Sequence, residues 1–379
     1  MTKKNEPISY IELSKSNLIH NFKELKKITK KGVEIAAVIK GNAYGHGQNE
    51  IAKILDPFVD YFQVNSLLEL ELLRKVTKKK IFLLGYVQKE DLKKAIKLGC
   101  ILSIFSLEQL KDVEKVSGLL KVKQEIHIPI DAYLGREGFL ESEWKNSFEE
   151  VKKCKNVKLG GIYAHFANIE DTNNFTHARK QINKYKHALD IAGNLGFEKI
   201  KTHISATSGL LVYEKDKGPN SVIRLGIGIY GMWPSEHIKY LYKNKFELKP
   251  VMEWKTKIAQ IKTLPAGHTV GYGLTYMTYN PTKIAVIPIG YSDGFDRGLS
   301  NKGEVLIHGT RCKILGRVAM NMFVVDVTHL VDVKAEDEVI LIGKQGKEQI
   351  TAEEIADKLE TINYEVTTRI NSLLPRVII

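Results

Sequence analysis

Cysteine is scarce in this chain. It has three, Cys100, Cys154 and Cys312, far apart and odd in number. That spacing gives neither a disulfide framework nor the paired ligands of a metal site. Long apolar runs are also missing. None approaches the ~20 residues that a membrane span needs. The first six residues, Met1 to Glu6, are not followed by a long apolar segment, so no signal peptide is expected and the cytoplasm is the default location. No Gly-x-Gly-x-x-Gly follows the first strand, which weighs against an open dinucleotide-binding sheet. No stripe of aromatic and basic residues is present. The formal charge of +13 therefore reads as lysine-rich solvated helix faces, as in Phe22-Lys23-Glu24-Leu25-Lys26-Lys27, and not as a nucleic-acid surface.

What is present is enough for a large core: 379 residues, 43% of them hydrophobic. After an opening strand at Ile8–Leu13 and a helix begun by Ser14 to Asn17, eight apolar runs alternate with amphipathic helical patterns. The runs are Val33–Ile39, Tyr61–Asn65, Lys80–Leu84, Ile101–Phe105, Glu125–Ile130, Leu159–His165, Lys199–Ile204 and Val222–Tyr230. The helices between them include 67–76, 89–98, 107–116, 142–154 and 177–195. Eight such units predict a closed parallel (β/α)8 barrel, because parallel strands need crossovers that cover both faces of the sheet. Beyond about residue 240 helical spacing fades. Short β runs take over at Trp254–Ile261, Lys283–Ile289, Glu304–Ile307, Cys312–Leu315, Met322–Val327 and Glu338–Ile342, with one helix capped at Thr351. The expected division is a barrel domain over 1–240 and a mainly β domain over 241–379.

Function in a barrel gathers at the C-terminal ends of its strands. Chemistry-bearing residues fall there repeatedly. The run Val38-Ile39-Lys40-Gly41-Asn42-Ala43-Tyr44-Gly45-His46-Gly47 places Lys40 at the tip of the first barrel strand, opening into a loop. A lysine at such a polar mouth is partly buried, which lowers its pKa and makes it a usable nucleophile or base. Asp131 and Arg136 follow the fifth strand, and His165 ends the sixth. Thr207 and Ser208 follow the seventh, and Arg224 to Gly228 lie on the eighth. The loops after strands seven and eight commonly bind phosphate.

The Lys40 run resembles the cofactor-lysine motif of the alanine racemases, and further motifs in the same order extend the resemblance across the chain. It implies pyridoxal 5'-phosphate held by Lys40 as a Schiff base. Tyr44, Thr207, the Gly226 and Ile227 backbone and Tyr364 would meet the phosphate, and Arg224 the ring nitrogen, with His165 nearby. A guanidinium gives up no proton readily, so the ring would be a weak electron sink. Tyr272, in Gly271-Tyr272-Gly273, resembles the second catalytic base, given in the family by the partner subunit of a homodimer. A free tyrosine titrates near about 10, so something must favour its phenolate, and His165 is the candidate. Arg136 resembles the residue that meets the substrate carboxylate, and Tyr291 and Met320 the pocket and entrance residues. The implied activity is interconversion of L- and D-alanine, supplying D-alanine for peptidoglycan.

The chain departs from the family pattern at Ala132, Tyr133 and Leu134 before Arg136, at Ala206-Thr207, and at Asn321. Pro129 stands where some members carry a carbamylated lysine. These changes favour, as alternatives, a racemase of serine, lysine or a wider set of amino acids. A non-catalytic pyridoxal-phosphate protein is the other alternative, and such proteins lack a β domain.

Overall fold

The computed structural model describes residues 7–171, 173–213 and 220–379; the N-terminal hexapeptide lies outside them. The chain forms two compact units. One comprises Ile19–Gly41 and Ile51–Lys249, the other Met1–Leu18, Asn42–Glu50 and Pro250–Ile379. The first strand, β1 (Tyr10–Leu13), belongs to the second of these.

The first unit holds β2 (Glu34–Val38), β3 (Tyr61–Val64), β4 (Lys80–Leu83), β5 (Ile101–Ser103), β6 (Gln124–Pro129), β7 (Val157–Tyr163), β8 (Lys201–His203) and β9 (Val222–Leu225). All pair in parallel, in the order β8-β7-β6-β5-β4-β3-β2-β9. The two ends of that order are stitched together. The Ser221 N–H donates to Thr202 O at 2.8 Å and the Arg224 N–H to Ser205 O at 3.1 Å. This is the eight-stranded barrel that the alternating pattern predicts, each strand within a few residues of its run. Burial is continuous along β3, β5 and β9, as expected of strands covered on both faces.

The barrel interior is aromatic and partly polar. The Phe82 ring meets Tyr163 at 5.4 Å and His203 at 5.3 Å, and Tyr163 stacks on His203 at 5.1 Å with 7° between planes. His127 Nδ1 lies 2.8 Å from His203 Nε2. Burial holds both imidazoles below the usual histidine range.

In the second unit, strands from both ends of the chain meet in one sheet. It contains β10 (Met252–Lys257), β11 (Gln260–Leu264), β14 (Thr282–Ile287), β15 (Glu304–Ile307), β16 (Thr310–Leu315), β17 (Phe323–Asp326), β18 (Glu338–Gln345), β19 (Glu348–Ile350) and β20 (Arg376–Ile378). A hairpin of β12 (Thr269–Val270) and β13 (Tyr276–Met277) stands apart. β1 pairs antiparallel with β10, Ile11 opposite Trp254, and parallel with β20. Burial alternates along β1 and β10, the mark of strands with one face on a core. The run predicted as one strand over 254–261 is two, β10 and β11, broken at Ile258 and Ala259. The helix Ala352–Leu359 starts as predicted, with the Glu354 N–H donating to Thr351 Oγ1 at 3.1 Å.

Two local expectations are corrected. Lys40 does not end β2. It follows Ile39 and opens a single turn, Lys40–Tyr44, whose handedness is unusual. Gly41, Asn42, Ala43 and Tyr44 have φ of 61°, 53°, 54° and 53°, so the turn is left-handed. Such backbone costs about 1–2 kcal/mol per non-glycine residue. Local bonds offset it: Gly41 N–H to Glu69 Oε1 at 2.6 Å, Gly47 N–H to Asn42 O at 2.9 Å, and Gln48 N–H to Asn42 Oδ1 at 2.9 Å. His46 Nδ1 sits 3.1 Å from Ala43 O and 3.0 Å from Tyr44 O. Carbonyls only accept, so this nitrogen carries the proton. Burial pushes the ring's pKa down to about 4. Second, β9 ends at Leu225, and Ile227–Tyr230 is a 3-10 turn and not a continuation of the strand.

Buried neutral histidines predict acid sensitivity. The folded chain refuses a proton at His46, His127 and His203, whereas an unfolded histidine takes one near pH 6.5. Their contribution is complete above pH 6.5 and is lost as pH falls toward the folded values. Each contributes a slope of up to about 1.4 kcal/mol per pH unit. Urea unfolding at pH 7, 6 and 5 should show stability falling with a slope of more than one proton. A flat profile over that range would contradict the neutral state of these rings.

Candidate active site

The barrel mouth gathers Lys40, Arg136, His165 and Arg224, four of the residues singled out above. Lys40 is half-buried. Its ammonium is destabilised first by burial and then by Arg136 and Arg224, and is only partly supported by Glu137 and Glu69. Its pKa therefore lies below the ordinary lysine value, the direction expected for a nucleophile or base. An open cavity of about 410 Å³ lies over it, lined by Lys40, Asn65, Leu84, Tyr86, Phe105, Arg136 and Glu137 among others.

Arg224 is almost fully buried, 4% exposed, yet no carboxylate among the described residues pairs with it. Its guanidinium donates to Ala164 O at 2.8 Å and Ile204 O at 3.1 Å. It also reaches His165 Nδ1 at 3.2 Å and His203 Nδ1 at 3.3 Å. A guanidinium offers donors only, so both imidazole Nδ1 atoms must be acceptors. Each neutral ring then carries its proton on Nε2, and His203 passes its Nε2–H on to His127 Nδ1. One arginine thus fixes three histidine tautomers. Burial and the neighbouring Arg224, Arg136 and Lys40 push the His165 pKa down to about 3. What His165 can offer a phenolate is an N–H donor and not a positive charge.

Thr207, Gly226 and Ile227 also come together. Thr207 opens the helix Thr207–Val212, and its Oγ1 accepts from the N–H of Gly226 at 3.2 Å and of Gly228 at 3.4 Å. Gly228 cannot carry a side chain here, because a Cβ would stand 2.6 Å from Thr207 Cγ2.

In the other unit Tyr44 and Tyr364 face each other, ring centres 5.9 Å apart. Tyr272 opens a short turn after Gly271 at φ 73° and is 74% exposed. Tyr291 and Met320 are neighbours: the Tyr291 N–H donates to Ala319 O at 3.1 Å, and the Ser292 hydroxyl to Met320 O at 2.8 Å. Asn321 Nδ2 donates to Ser292 Oγ at 2.8 Å.

Tyr133 is turned away from the site. Its φ is +64°, and Lys184 Nζ sits 4.1 Å from its ring centre; it is not among the cavity lining. Two carboxylates were not singled out from the sequence. Glu69 accepts from Gly41 N–H and also from Asn65 N–H at 2.7 Å, while closing the cap of the helix Leu67–Arg74 with Ser66. The Ser66-Leu67-Leu68-Glu69 box was a readable signal for it. Glu137 pairs with Arg136 through both carboxylate oxygens, and only its adjacency to Arg136 hinted at this. No helix among the described residues is long and apolar enough to cross a membrane.

Comparison with known proteins finds relatives that span both ends of the chain. Residues 13–234 match the family model for the alanine racemase N-terminal domain, and residues 251–378 that for the C-terminal domain. A protein named alanine racemase from Leptospira interrogans is 34% identical, over 98% of this chain and 96% of that protein. The solved alanine racemase of Clostridium difficile superposes with a TM-score of 0.92 at 33% identity, covering 99% of this chain and 97% of that one. A histidine racemase from Leuconostoc mesenteroides has the same fold, with a TM-score of 0.89 at 28% identity and 99% of each chain covered. On the strength of both matched domains, the chain belongs to the alanine racemase family.

Proposed function

We propose that this chain interconverts L- and D-alanine, with pyridoxal 5'-phosphate carried on Lys40 and two bases, Lys40 and Tyr272, on opposite faces of the substrate. The observation that carries the reading is Lys40 itself. It is a half-buried amine at a barrel mouth, weakened as an acid-holding group by burial and two arginines. When bound, the cofactor supplies an electron sink that acidifies the α-proton of an amino acid.

The donor set fits that group. Lys40 supplies an amine. Arg224 offers only N–H donors, so a pyridine nitrogen facing it accepts and stays unprotonated. Thr207 offers a hydroxyl hydrogen and Ile227 a backbone N–H for a phosphate, while the Gly226 N–H donates to Thr207 Oγ1 and aims that hydroxyl; the family resemblance also gives the Gly226 backbone a place there. Tyr44 and Tyr364 keep the phosphate role that the family resemblance gives them. Once free, the Lys40 amine can take or return a proton at the α-carbon on its own face. Arg136 holds the substrate carboxylate. His165, neutral, can donate its Nε2–H. In this reading the barrel part, 1–240, carries the cofactor. The β part, 241–379, supplies Tyr272, Tyr291 and Met320 to a partner subunit in a homodimer. The product would serve peptidoglycan synthesis from the cytoplasm. The fold shared with a histidine racemase motivates one alternative, a different or wider amino-acid range.

Three measurements test this reading. The purified holoenzyme is assayed for racemisation across the common amino acids. Alanine should be turned over fastest, and a clear preference for another substrate would select the alternative. Borohydride reduction should fix the cofactor on the one peptide containing Lys40, and label on any other lysine would refute the assignment. Lys40→Ala and Tyr272→Phe chains should each lose at least about 100-fold in activity. Mixed under conditions of subunit exchange, they should recover activity, because one site of each heterodimer keeps both bases. Demonstrated heterodimers without recovery would rule out a shared site.

A further inference from the structure

Glu137 is the one acidic side chain lining a cavity that also presents Lys40 and Arg136, and an acid beside a carboxylate-binding arginine needs a reason. The loop that carries the pair is held at its base. The Phe139 N–H donates to Pro129 O at 3.0 Å, and the Asp131 N–H to Phe139 O at 3.1 Å. Asp131 Oδ1 accepts from the N–H groups of Leu134 at 2.9 Å and Gly135 at 3.0 Å. Gly138 closes the loop at φ 116°, where a Cβ would lie 2.6 Å from Asp131 N. The loop therefore presents Arg136 and Glu137 from a braced frame.

Within it the two carboxylate oxygens of Glu137 occupy one edge of the guanidinium. Oε2 takes the Nε–H, and Oε1 takes an Nη2–H at 2.8 Å. The other edge, Nη1 with the second Nη2 hydrogen, has no partner among the described residues. A guanidinium can hold two carboxylates at once, one on each edge. Glu137 is also the more covered of the two, its side chain 21% exposed against 60% for Arg136.

We propose that Glu137 is a positioning residue: it saturates the Nε/Nη2 edge of Arg136 and so leaves the Nη1/Nη2 edge as the single seat for the substrate carboxylate. This rests on the reading of Arg136 as the carboxylate receptor. Without Glu137 the guanidinium is free to turn and to bind anions by either edge. The same acid offsets part of the cationic field of Lys40, Arg136 and Arg224, so its removal also strengthens general anion attraction. The two effects have opposite signs, and this makes the proposal testable.

The test uses holoenzyme and propionate, a substrate-sized carboxylate without an amine, with binding measured by calorimetry beside alanine kinetics. If Glu137 positions Arg136, Glu137→Ala weakens propionate and raises KM for alanine by about ten-fold, the scale of lost charge-assisted hydrogen bonds, with kcat changed less. Glu137→Gln keeps one acceptor and should fall between that variant and the parent. Glu137→Asp, which keeps the charge, should recover most of the binding. Propionate that binds equally well or more tightly to both the Ala and the Gln variants would overturn the proposal and leave Glu137 as a charge-balancing group. Arg136→Ala separates the two levels. If it leaves propionate binding intact, the receptor reading itself fails; if it abolishes binding while Glu137→Ala does nothing, only the positioning role fails.

Discussion

A buried guanidinium with no carboxylate partner among the described residues is the constraint from which the rest of the site follows. Removing an unpaired charge from water is costly unless hydrogen bonds replace the solvent. Around Arg224 the replacements are two carbonyls and two imidazole nitrogens, with the Tyr163 ring 5.5 Å from its centre. Each acceptor is supplied by the end of a barrel strand or the residues just past it. β7 leads to Ala164 and His165, and β8 carries His203 and leads to Ile204. The barrel's parallel closure is what brings those ends to one place. The histidines cannot also be cations there, so they are held neutral, and their tautomers are dictated by the arginine. The chemistry at the mouth is then left to Lys40, whose own charge the same arginine disfavours.

Much of this was legible in the sequence, for identifiable reasons. The eight barrel strands stand out because both faces are covered, so their residues are mostly apolar, as in β3 and β9, where Gln63 and Arg224 are the single interruptions. The β region stands out because its strands have one dry face, as in β10. The Lys40 run, Arg224 and Thr207 could be placed because barrel chemistry collects at strand ends.

What could not be read depends on contacts distant in sequence, or on backbone states that residue type does not impose. Nothing in Asn42-Ala43-Tyr44 demands a left-handed turn. It is sustained by Glu69 and His46, which act through bonds a linear reading does not show. β1 is too short to declare its partners, and these lie more than two hundred residues away in β10 and β20. Tyr133 stands out in the sequence as a departure just before Arg136, but its ring lies against Lys184 and is not part of the cavity lining. Glu137 looked like any acid beside an arginine, until its two oxygens were seen to take one edge of the guanidinium.

The pairing of β1 with β20 has a consequence for how the chain is made. Ile11 sits opposite Arg376, so β1 is partnered by a strand that is made long after it. At about 5–20 residues per second, roughly twenty to seventy seconds separate their synthesis. All strands of the barrel, by contrast, have been made once Leu225 has emerged. The barrel can therefore close during translation, while Tyr10 to Leu13 must wait for β10 on one edge and for β20 on the other. Folding along this chain is thus sequential, with β1 gaining its second neighbour only after Arg376 to Ile378 have been made.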